Sequence, residues 1–429
     1  MIQEFIMATE TIRYYKYRWV MLAAYVIITA VIEIQWLTFA PIAREARAVY
    51  GVSALGIDLL SMVFMGVFLV ACIPASWVID TWGIRVGVGM GAVMTGCFAM
   101  VKGFYPHQYT QVLLAQIGLA VAQPFILNAV TKMAYQWFPL TERALAVGIA
   151  TLAQFLGIII VMVATPSMVT HFPDGTCDIS GLLMTYGWVT LLGAVIFLLL
   201  AREKPPTPPH IEEQVSLSVF KGMEHIAKQR DMWLVFPLFF IGLGMFNAIS
   251  TCIDQICQVK GLSTEQTGMI GGIMLIAGLI GALVLPLFSD ILRKRKAFIV
   301  MAMAGMTPGL VGLTVSRDYG VLLASSFVIG FFLLGAGAPV GFQYSAEVTR
   351  PAPESTSQGL ILLIGQFSGI LFIIMMNVLT IQTSLIIFIS MASLNIILSL
   401  CLNESKMIRV VPTKTDQIIQ EATEPSIPS

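Results

Sequence analysis

The chain has 429 residues, of which 57% are hydrophobic and only 11% are charged. A soluble globular domain carries about 25% charged residues, so this composition excludes a soluble protein and a disordered one. Its 24 basic and 24 acidic residues cancel, which leaves no basic surface for binding nucleic acid.

Twelve apolar runs follow one another along the chain. Each is long enough for a helix that crosses a bilayer, which needs about 20 residues. The first six lie near 18–43, 56–79, 84–104, 108–136, 143–169 and 182–201. The other six lie near 232–257, 266–289, 297–315, 319–345, 356–380 and 382–402.

The runs divide the chain into an N-terminal segment 1–17, a six-helix bundle 18–201, a linker 202–231, a second bundle 232–402 and a tail 403–429. The linker is rich in proline and charge, and we interpret it as ending in a short amphipathic helix. This pattern predicts an all-α integral membrane protein whose main surroundings are the lipid bilayer.

The basic residues predict the orientation of the spans. Most of the 24 Lys and Arg residues lie on the side that carries both termini. The exceptions are Arg44, Arg47, Lys102, Lys260 and Arg317. Cytoplasmic loops are enriched in Lys and Arg, so we expect both termini in the cytoplasm, in a multi-pass protein of the plasma membrane.

The two halves of the chain contain similar motifs in the same order. Asp80 stands between runs 2 and 3, and Asp290 stands between runs 8 and 9. Gln154 lies in run 5 and Gln366 lies in run 11, each three residues before a glycine. Parallel six-helix repeats of this kind are the architecture of major facilitator transporters, so we predict two pseudo-symmetric bundles.

The loops between runs 2 and 3 and between runs 8 and 9 are candidate gates. A charge pair beside a helix terminus could latch the two halves together on the cytoplasmic face when the site opens outward. Simple anchoring by positive charge is the alternative. The gating candidates are Asp80, Gly83, Arg85, Asp290 and Arg293, together with the charged loop ends Glu142, Arg143 and Glu354.

Glu33 is an ionisable residue deep in the first apolar run. A carboxylate at the bilayer centre costs a few kcal/mol to insert, so it indicates function by default. Trp36 lies on the same helical face and Gln35 is its neighbour. A carboxylate beside an indole suits an organic cation through charge pairing and a cation–π contact. The alternatives are a protonated structural acid and simple aromatic packing.

Gln154 and Gln366 are uncharged amides near the middle of runs 5 and 11. A buried glutamine must satisfy both its donor and its acceptor. At pseudo-symmetric positions, the two side chains could face each other across a central cavity. Hydrogen bonding between neighbouring helices is the alternative.

The sequence resembles the feline leukaemia virus subgroup C receptor family of major facilitator transporters, from the first span to the last. The resemblance is carried by Gln35 and Trp36, by segments 57–65, 80–85 and 122–127, and by Gln154, segments 250–255 and 346–354, and Gln366.

This resemblance implies transport of choline and ethanolamine, with haem transport as an older assignment of the family. It also implies a central cavity formed by a tryptophan of the first span, the two glutamines and an aromatic residue of the seventh span. Trp36, Gln154 and Gln366 match, whereas Asn247 stands at the aromatic position. Glu33 replaces a usually uncharged residue, which leaves a different cation or proton coupling open.

We therefore expect a transporter that moves choline, ethanolamine or a related organic amine by alternating access. One alternative is a transporter of haem or an iron chelate. Another is a receptor or sensor that uses the same fold without transport. The sequence contains no catalytic constellation, so we expect neither an enzyme nor a catalytic residue. We also expect a monomer with no cofactor and no metal site, a small-molecule substrate, and protons as a candidate coupling ion.

Overall fold

The computed structural model describes residues 15–207, 219–350, 352 and 354–405. Twelve helices in this part are long and apolar enough to cross a membrane. Spans 1 to 6 are Tyr17–Trp36, Ala54–Trp82, Ile84–Phe104, Tyr109–Trp137, Leu140–Ala164 and Ser180–Leu200. Spans 7 to 12 are Arg230–Thr251, Thr264–Leu292, Arg295–Val315, Tyr319–Val348, Glu354–Val378 and Ile381–Leu400.

The spans alternate in direction and form two bundles of six, so the predicted fold class is confirmed. We call the side where span 1 begins and span 12 ends the terminal face. We call the other side, which carries Gly51, Gly261 and Ser316, the opposite face. A two-stranded antiparallel sheet lies on the opposite face between spans 5 and 6, with β1 at Thr170–His171 and β2 at Cys177–Asp178.

Local polar motifs begin several of the helices. The Ser263 hydroxyl accepts a hydrogen bond from the Gln266 backbone N–H, and the Gln266 side chain accepts one from the Ser263 N–H. This capping box satisfies amide groups that the first turn of span 8 leaves unpaired. Ser53 and Thr380 cap spans 2 and 12 through their hydroxyl oxygens.

Several of the predicted runs are divided into shorter elements, and two examples lie at the opposite face. Run 18–43 contains span 1, which ends at Trp36, and a 3₁₀ turn, Ala40–Ile42, followed by the helix Ala43–Tyr50. Run 232–257 contains span 7, which ends at Thr251, and the short helix Ile253–Gln258. Hydropathy does not detect such breaks, because the residues on both sides are apolar. Each break places polar residues at the opposite face.

The linker lies against both bundles on the terminal face. Glu203 accepts hydrogen bonds from the backbone N–H groups of Ile84 at 3.0 Å and Arg85 at 2.7 Å, at the start of span 3. A carboxylate suits a helix N-terminus because unpaired amide groups and the helix dipole both favour negative charge. The short helix Val219–Ala227 carries His225, whose ring contacts the Arg350 carbonyl at 3.2 Å.

Candidate functional site between the two bundles

The two bundles meet where span 5 packs against span 8 and span 2 packs against span 11. A Cβ atom at Gly268 of span 8 would lie 2.4 Å from the carbonyl oxygen of Met162 in span 5. A side chain at this position would therefore separate the two helices. Gly268 is near the start of span 8 and Met162 is near the end of span 5, so this close contact lies near the opposite face.

A buried ion pair joins the bundles at the opposite face. Arg44 donates from Nε to Asp254 Oδ1 at 2.8 Å and from its backbone N–H to Asp254 Oδ2 at 2.7 Å. Its Nη1 also donates to the Leu262 carbonyl at 2.8 Å. The Asp254 side chain is only 1% exposed. Burial raises the pKa of Asp254, whereas the Arg44 guanidinium opposes this shift and favours the ionised carboxylate.

Asp58 of span 2 forms a second connection between the bundles. Its Oδ2 accepts hydrogen bonds from Gln255 Nε2 at 2.6 Å and from Asn377 Nδ2 at 2.6 Å. The Asp58 side chain is buried, and these donors belong to the other bundle. Beside the ion pair, Glu45 accepts a hydrogen bond from the Thr264 hydroxyl. We call Arg44, Asp58, Asp254, Gln255 and Asn377 the opposite-face gate.

The ion pairs at the terminal face are arranged differently. Arg18 pairs with Glu142 at 2.9 Å inside the N-terminal bundle. Arg295 pairs with Asp290 at 2.6 Å and with Glu347 at 3.0 Å inside the C-terminal bundle. Within the described residues, no salt bridge at this face joins one bundle to the other. The structure is therefore a conformation that is closed at the opposite face.

The predicted latch residues contact their own bundles in this conformation. Asp80 is 76% exposed and lies 3.9 Å from Lys132. Asp290 pairs with Arg295, and the gating candidate Arg293 adopts a left-handed φ of 52° as span 8 ends. The latch itself stays a prediction, since it concerns the conformation closed at the terminal face.

The remaining gating candidates take varied positions. Gly83 has a φ of 93° and ends span 2, and a Cβ there would lie 2.3 Å from the Glu203 carboxylate. Arg85 is exposed. The Arg143 guanidinium lies over the Tyr135 ring, 4.4 Å from its centroid. Glu354 begins span 11, and its side chain is outside the described part of the structure.

Glu33 is buried inside the N-terminal bundle, with its side chain only 2% exposed. Its Oε1 accepts a hydrogen bond from Gln123 Nε2 of span 4 at 3.1 Å. Gly157 of span 5 lies against Ala30 and the Cβ atom of Glu33. No salt bridge to Glu33 exists among the described residues. A single amide donor thus faces this carboxyl group, which leaves it able to hold a proton or pair with a cation.

Trp36 lies at the end of span 1, where it contacts span 2. Its Nε1 donates to the Ser61 carbonyl at 3.3 Å, and the Ser61 hydroxyl donates to the Trp36 carbonyl at 3.2 Å. These bonds hold the indole at the junction of two spans. No aromatic ring of the described residues stacks on the indole, so its π faces are not used by another ring.

The side chain of Gln35 joins span 1 to span 6. Its Nε2 donates to Thr190 Oγ1 at 2.7 Å and to the Tyr186 carbonyl at 3.2 Å, both in span 6. The side chain is fully buried within the N-terminal bundle. Neighbouring residues of a helix project about 100° apart, so Gln35 joins helices while Trp36 faces span 2. We therefore leave Gln35 out of the proposed site.

Gln154 and Gln366 are alike in exposure and in hydrogen bonding. Both side chains are half-buried, and neither amide has a hydrogen-bond partner among the described residues. Asn247 of span 7 is different, since it is buried and donates to the Gly365 carbonyl of span 11 at 3.2 Å. It packs beside the helix segment that carries Gln366. The two glutamines thus remain available to a bound molecule.

Sequence reasoning missed the opposite-face gate and the Gln123 partner of Glu33. Arg44 and Asp254 belong to loops about 210 residues apart, so only the packing of the bundles reveals their pairing. A signal was present for Asp58, because a carboxylate in an apolar span needs donors. No cluster of three or more His, Cys, Asp or Glu side chains that could hold a metal occurs in the described residues.

The sequence model of the Major Facilitator Superfamily matches residues 21–373. The chain belongs to this superfamily. The solved structure of a bacterial homologue of the human lysosomal transporter Spinster, described as inward-facing and unoccupied, aligns with a TM-score of 0.73 at 12% identity. The alignment covers 90% of this chain and 97% of the other. At this identity the likeness supports the fold alone.

Relatives with curated names support the resemblance to the feline leukaemia virus subgroup C receptor family. Solute carrier family 49 member A3 of Danio rerio is 29% identical over 86% of this chain and 80% of its own length. The choline/ethanolamine transporter FLVCR1 of Felis catus is 29% identical over 85% of this chain and 68% of its own. FLVCR2 of Homo sapiens, also named a choline/ethanolamine transporter, is 27% identical over 85% of this chain and 72% of its own length. The resemblance to this family of transporters is thereby confirmed.

The opposite-face gate yields a first prediction. Arg44→Gln leaves Asp254 buried without its cation, which destabilises the closed conformation by on the order of 3 kcal/mol. We expect the buried thiols of Cys252 and Cys257 to react faster with a membrane-impermeant maleimide, as measured by mass spectrometry of the labelled peptides. The double variant Arg44→Gln/Asp254→Asn should show a smaller effect than the sum of the single variants.

The matched control is Lys228→Gln, which removes an exposed cation from a pair with the nearby Glu224. It should leave the labelling rate unchanged because surface pairs contribute little. Equal labelling rates in wild type and Arg44→Gln would show that the ion pair does not hold the gate.

A second prediction concerns the terminal face. Asp80→Asn should lower transport several-fold, because it removes a charge needed when this face closes, while the protein still reaches the membrane. Asp290→Asn should also lower transport several-fold, and it also removes the ion pair between Asp290 and Arg295. Initial transport rates normalised to surface expression provide the measurement, with the exposed Glu265→Gln as control. Normal rates in both aspartate variants would contradict the latch.

Proposed function

We propose that this transporter carries a small organic amine, of the choline and ethanolamine class, by alternating access between its two bundles. The observation that carries this proposal is the pair of half-buried, unpartnered amides at Gln154 and Gln366 in equivalent spans. An amide in such a position lowers its free energy by bonding to a ligand hydroxyl or ammonium group. Choline has the hydroxyl, and ethanolamine has both groups.

Trp36 supports recognition of the cationic end of the substrate. Its indole is held by Ser61 through the Nε1 hydrogen bond, and its faces are not stacked by another described ring. An indole face attracts a quaternary or primary ammonium by about 0.5–2 kcal/mol. Two curated relatives are named choline/ethanolamine transporters, which agrees with this substrate class.

Asn247 bears on which amine of this class is the better substrate. Its amide contacts Gly365 of span 11 and supplies no aromatic face. With one aromatic wall in place of two, a trimethylammonium group gains less than it would in a full cage. A primary ammonium, which donates three hydrogen bonds, gains more from the two glutamine carbonyls. We therefore propose ethanolamine as a better substrate than choline.

We further propose that the terminal face lies in the cytoplasm of a cell whose plasma membrane holds the protein. The loops of this face contain most of the Lys and Arg residues, as cytoplasmic loops do. On this orientation, the structure is an inward-facing conformation whose gate excludes the external solution. A substrate in the cytoplasm would then reach Gln154 and Gln366 from the terminal face.

Glu33 provides a means of coupling to protons. Its carboxyl group is one helical turn from Trp36 and has only the Gln123 amide as a described side-chain donor. A proton and a cationic substrate both neutralise this group, so each displaces the other when the substrate binds nearby. We propose that the protein exchanges an amine for a proton through this residue.

Uptake into proteoliposomes is the direct test of the substrate class. Labelled ethanolamine, choline and haem are each supplied with and without a proton gradient, and protein-free liposomes are the control. We expect saturable uptake of ethanolamine, weaker uptake of choline and no uptake of haem. Uptake of haem alone, or of none of the three, would refute the proposal.

A third prediction concerns the cavity residues. Trp36→Ala, Gln154→Ala and Gln366→Ala should each weaken amine binding by about 1–3 kcal/mol, the range for losing a cation–π contact or a ligand hydrogen bond. The two glutamine variants should be non-additive if they share a ligand. Ligand-induced thermal shift provides the measurement.

Gln108→Ala is the matched control, because this glutamine is exposed in the loop before span 4. It should bind the amine as the wild type does. If all three cavity variants also bind normally, the glutamines only join helices.

A fourth prediction separates exchange from uniport. Because a proton competes with the amine at Glu33, wild-type affinity should rise with pH, by up to about tenfold per pH unit when one proton is displaced. Glu33→Gln keeps the shape and the hydrogen bond but cannot titrate, so its affinity should be weaker and independent of pH. Binding is measured between pH 5 and 9, and a pH-independent wild type would assign Glu33 a structural role.

A further inference from the structure

A polar cavity lies on the opposite face, within the C-terminal bundle. It has a volume of about 360 Å³. It lies where the loops between spans 7 and 8, spans 9 and 10, and spans 11 and 12 converge. Its lining includes Lys260, Thr314, Arg317, Thr380 and Gln382. Because all these loops belong to one bundle, the cavity is separate from the space between the bundles.

Two cations line this cavity, and no carboxylate of the described residues is part of its lining. Lys260 Nζ donates to the carbonyls of Thr314 at 3.1 Å and Ser316 at 2.7 Å, which leaves one ammonium donor unused. Arg317 is exposed, and no salt bridge to either side chain occurs among the described residues. Asp318, the adjacent carboxylate in the sequence, caps the helix of span 10 through the Val321 N–H.

The two positive charges are close enough to affect each other. Burial lowers the pKa of Lys260, and the charge of Arg317 contributes to this shift. Like charges held together in this way attract an anion, since an anion between them removes their repulsion. A guanidinium and an ammonium are the side chains that most often bind phosphate oxygens.

The rim of the cavity is apolar and exposed. Val259 is 56% exposed and Val315 is 74% exposed, and Val378, just before the third loop, is 74% exposed. Apolar side chains at the ends of membrane spans lie at the level where lipid chains meet their headgroups. A phosphate bound by Lys260 and Arg317 would therefore have acyl chains beside these valines.

We propose that this cavity binds a phosphate group, supplied by the headgroup of an anionic phospholipid. The site also has a connection to the gate. Lys260 lies in the segment that includes Asp254, Gln255 and Leu262, all of which contact the other bundle. A lipid phosphate on Lys260 holds this segment in place and favours the closed opposite face. Binding of the lipid at this site does not depend on which amine the protein transports.

Thermal unfolding of the purified full-length protein tests binding. The probes are dioctanoyl phosphatidylglycerol, dioctanoyl phosphatidylcholine and inorganic phosphate. We expect phosphatidylglycerol to raise the Tm of the wild type, and phosphatidylcholine, which carries no net charge, to have little effect. Arg317→Gln should need about tenfold more phosphatidylglycerol for the same rise, the effect of losing one charge-assisted hydrogen bond. Arg317→Lys should largely retain the wild-type rise in Tm with phosphatidylglycerol.

Lys294→Gln is the control, because it removes one exposed cation at the terminal face. It should respond to phosphatidylglycerol as the wild type does. A rise of the same size with inorganic phosphate would support the anion site but assign it to a soluble phosphate. Equal responses of wild type and Arg317→Gln, or no response in either, would overturn the proposal.

The same samples test the connection to the gate. Phosphatidylglycerol should slow the maleimide labelling of Cys257 in the wild type and have a smaller effect in Arg317→Gln. Binding without any change in Cys257 labelling would overturn the proposed effect on the gate, although the lipid site would stand.

Discussion

The ion pair between Arg44 and Asp254 is the interaction on which the observed conformation depends. A carboxylate that is 1% exposed is costly unless a cation and hydrogen bonds replace its water. Arg44 supplies both from the other bundle, through its guanidinium and its backbone N–H. Separating the bundles at this face therefore requires water to enter as the pair breaks. A charged gate of this kind can be stable when closed and still open in an aqueous environment.

The two faces of the molecule differ in whether their ion pairs join the two bundles. At the opposite face, Arg44 and Asp58 find their partners in the other bundle, and close glycine packing accompanies them. At the terminal face, Arg18 and Arg295 find theirs within their own bundles. The described ion pairs at the terminal face therefore do not tie one bundle to the other. A rigid-body rocking of the bundles can exchange the two arrangements without unfolding either bundle.

The internal symmetry of the chain is broken near the residues that we propose contact the substrate. Gln154 and Gln366 are equivalent in position and in their lack of a described partner. Glu33 belongs to the N-terminal bundle alone, where Gln123 bonds to it. Asn247 belongs to the C-terminal bundle and bonds to span 11. This asymmetry agrees with the proposed amino alcohol substrate, whose two ends differ.

The sequence by itself determined the twelve spans, their division into two bundles and the family resemblance. The spans follow from hydropathy, because each helix must be apolar along its own length to cross a bilayer. The two bundles and the resemblance follow from short motifs, some of which recur in both halves. Only the tertiary structure decided that Gln35 faces span 6, that Gln123 bonds to Glu33, and that Arg44 meets Asp254. Such pairings join residues 90 to 210 positions apart. They depend on how helices rotate and pack, and hydropathy along one helix does not encode that geometry.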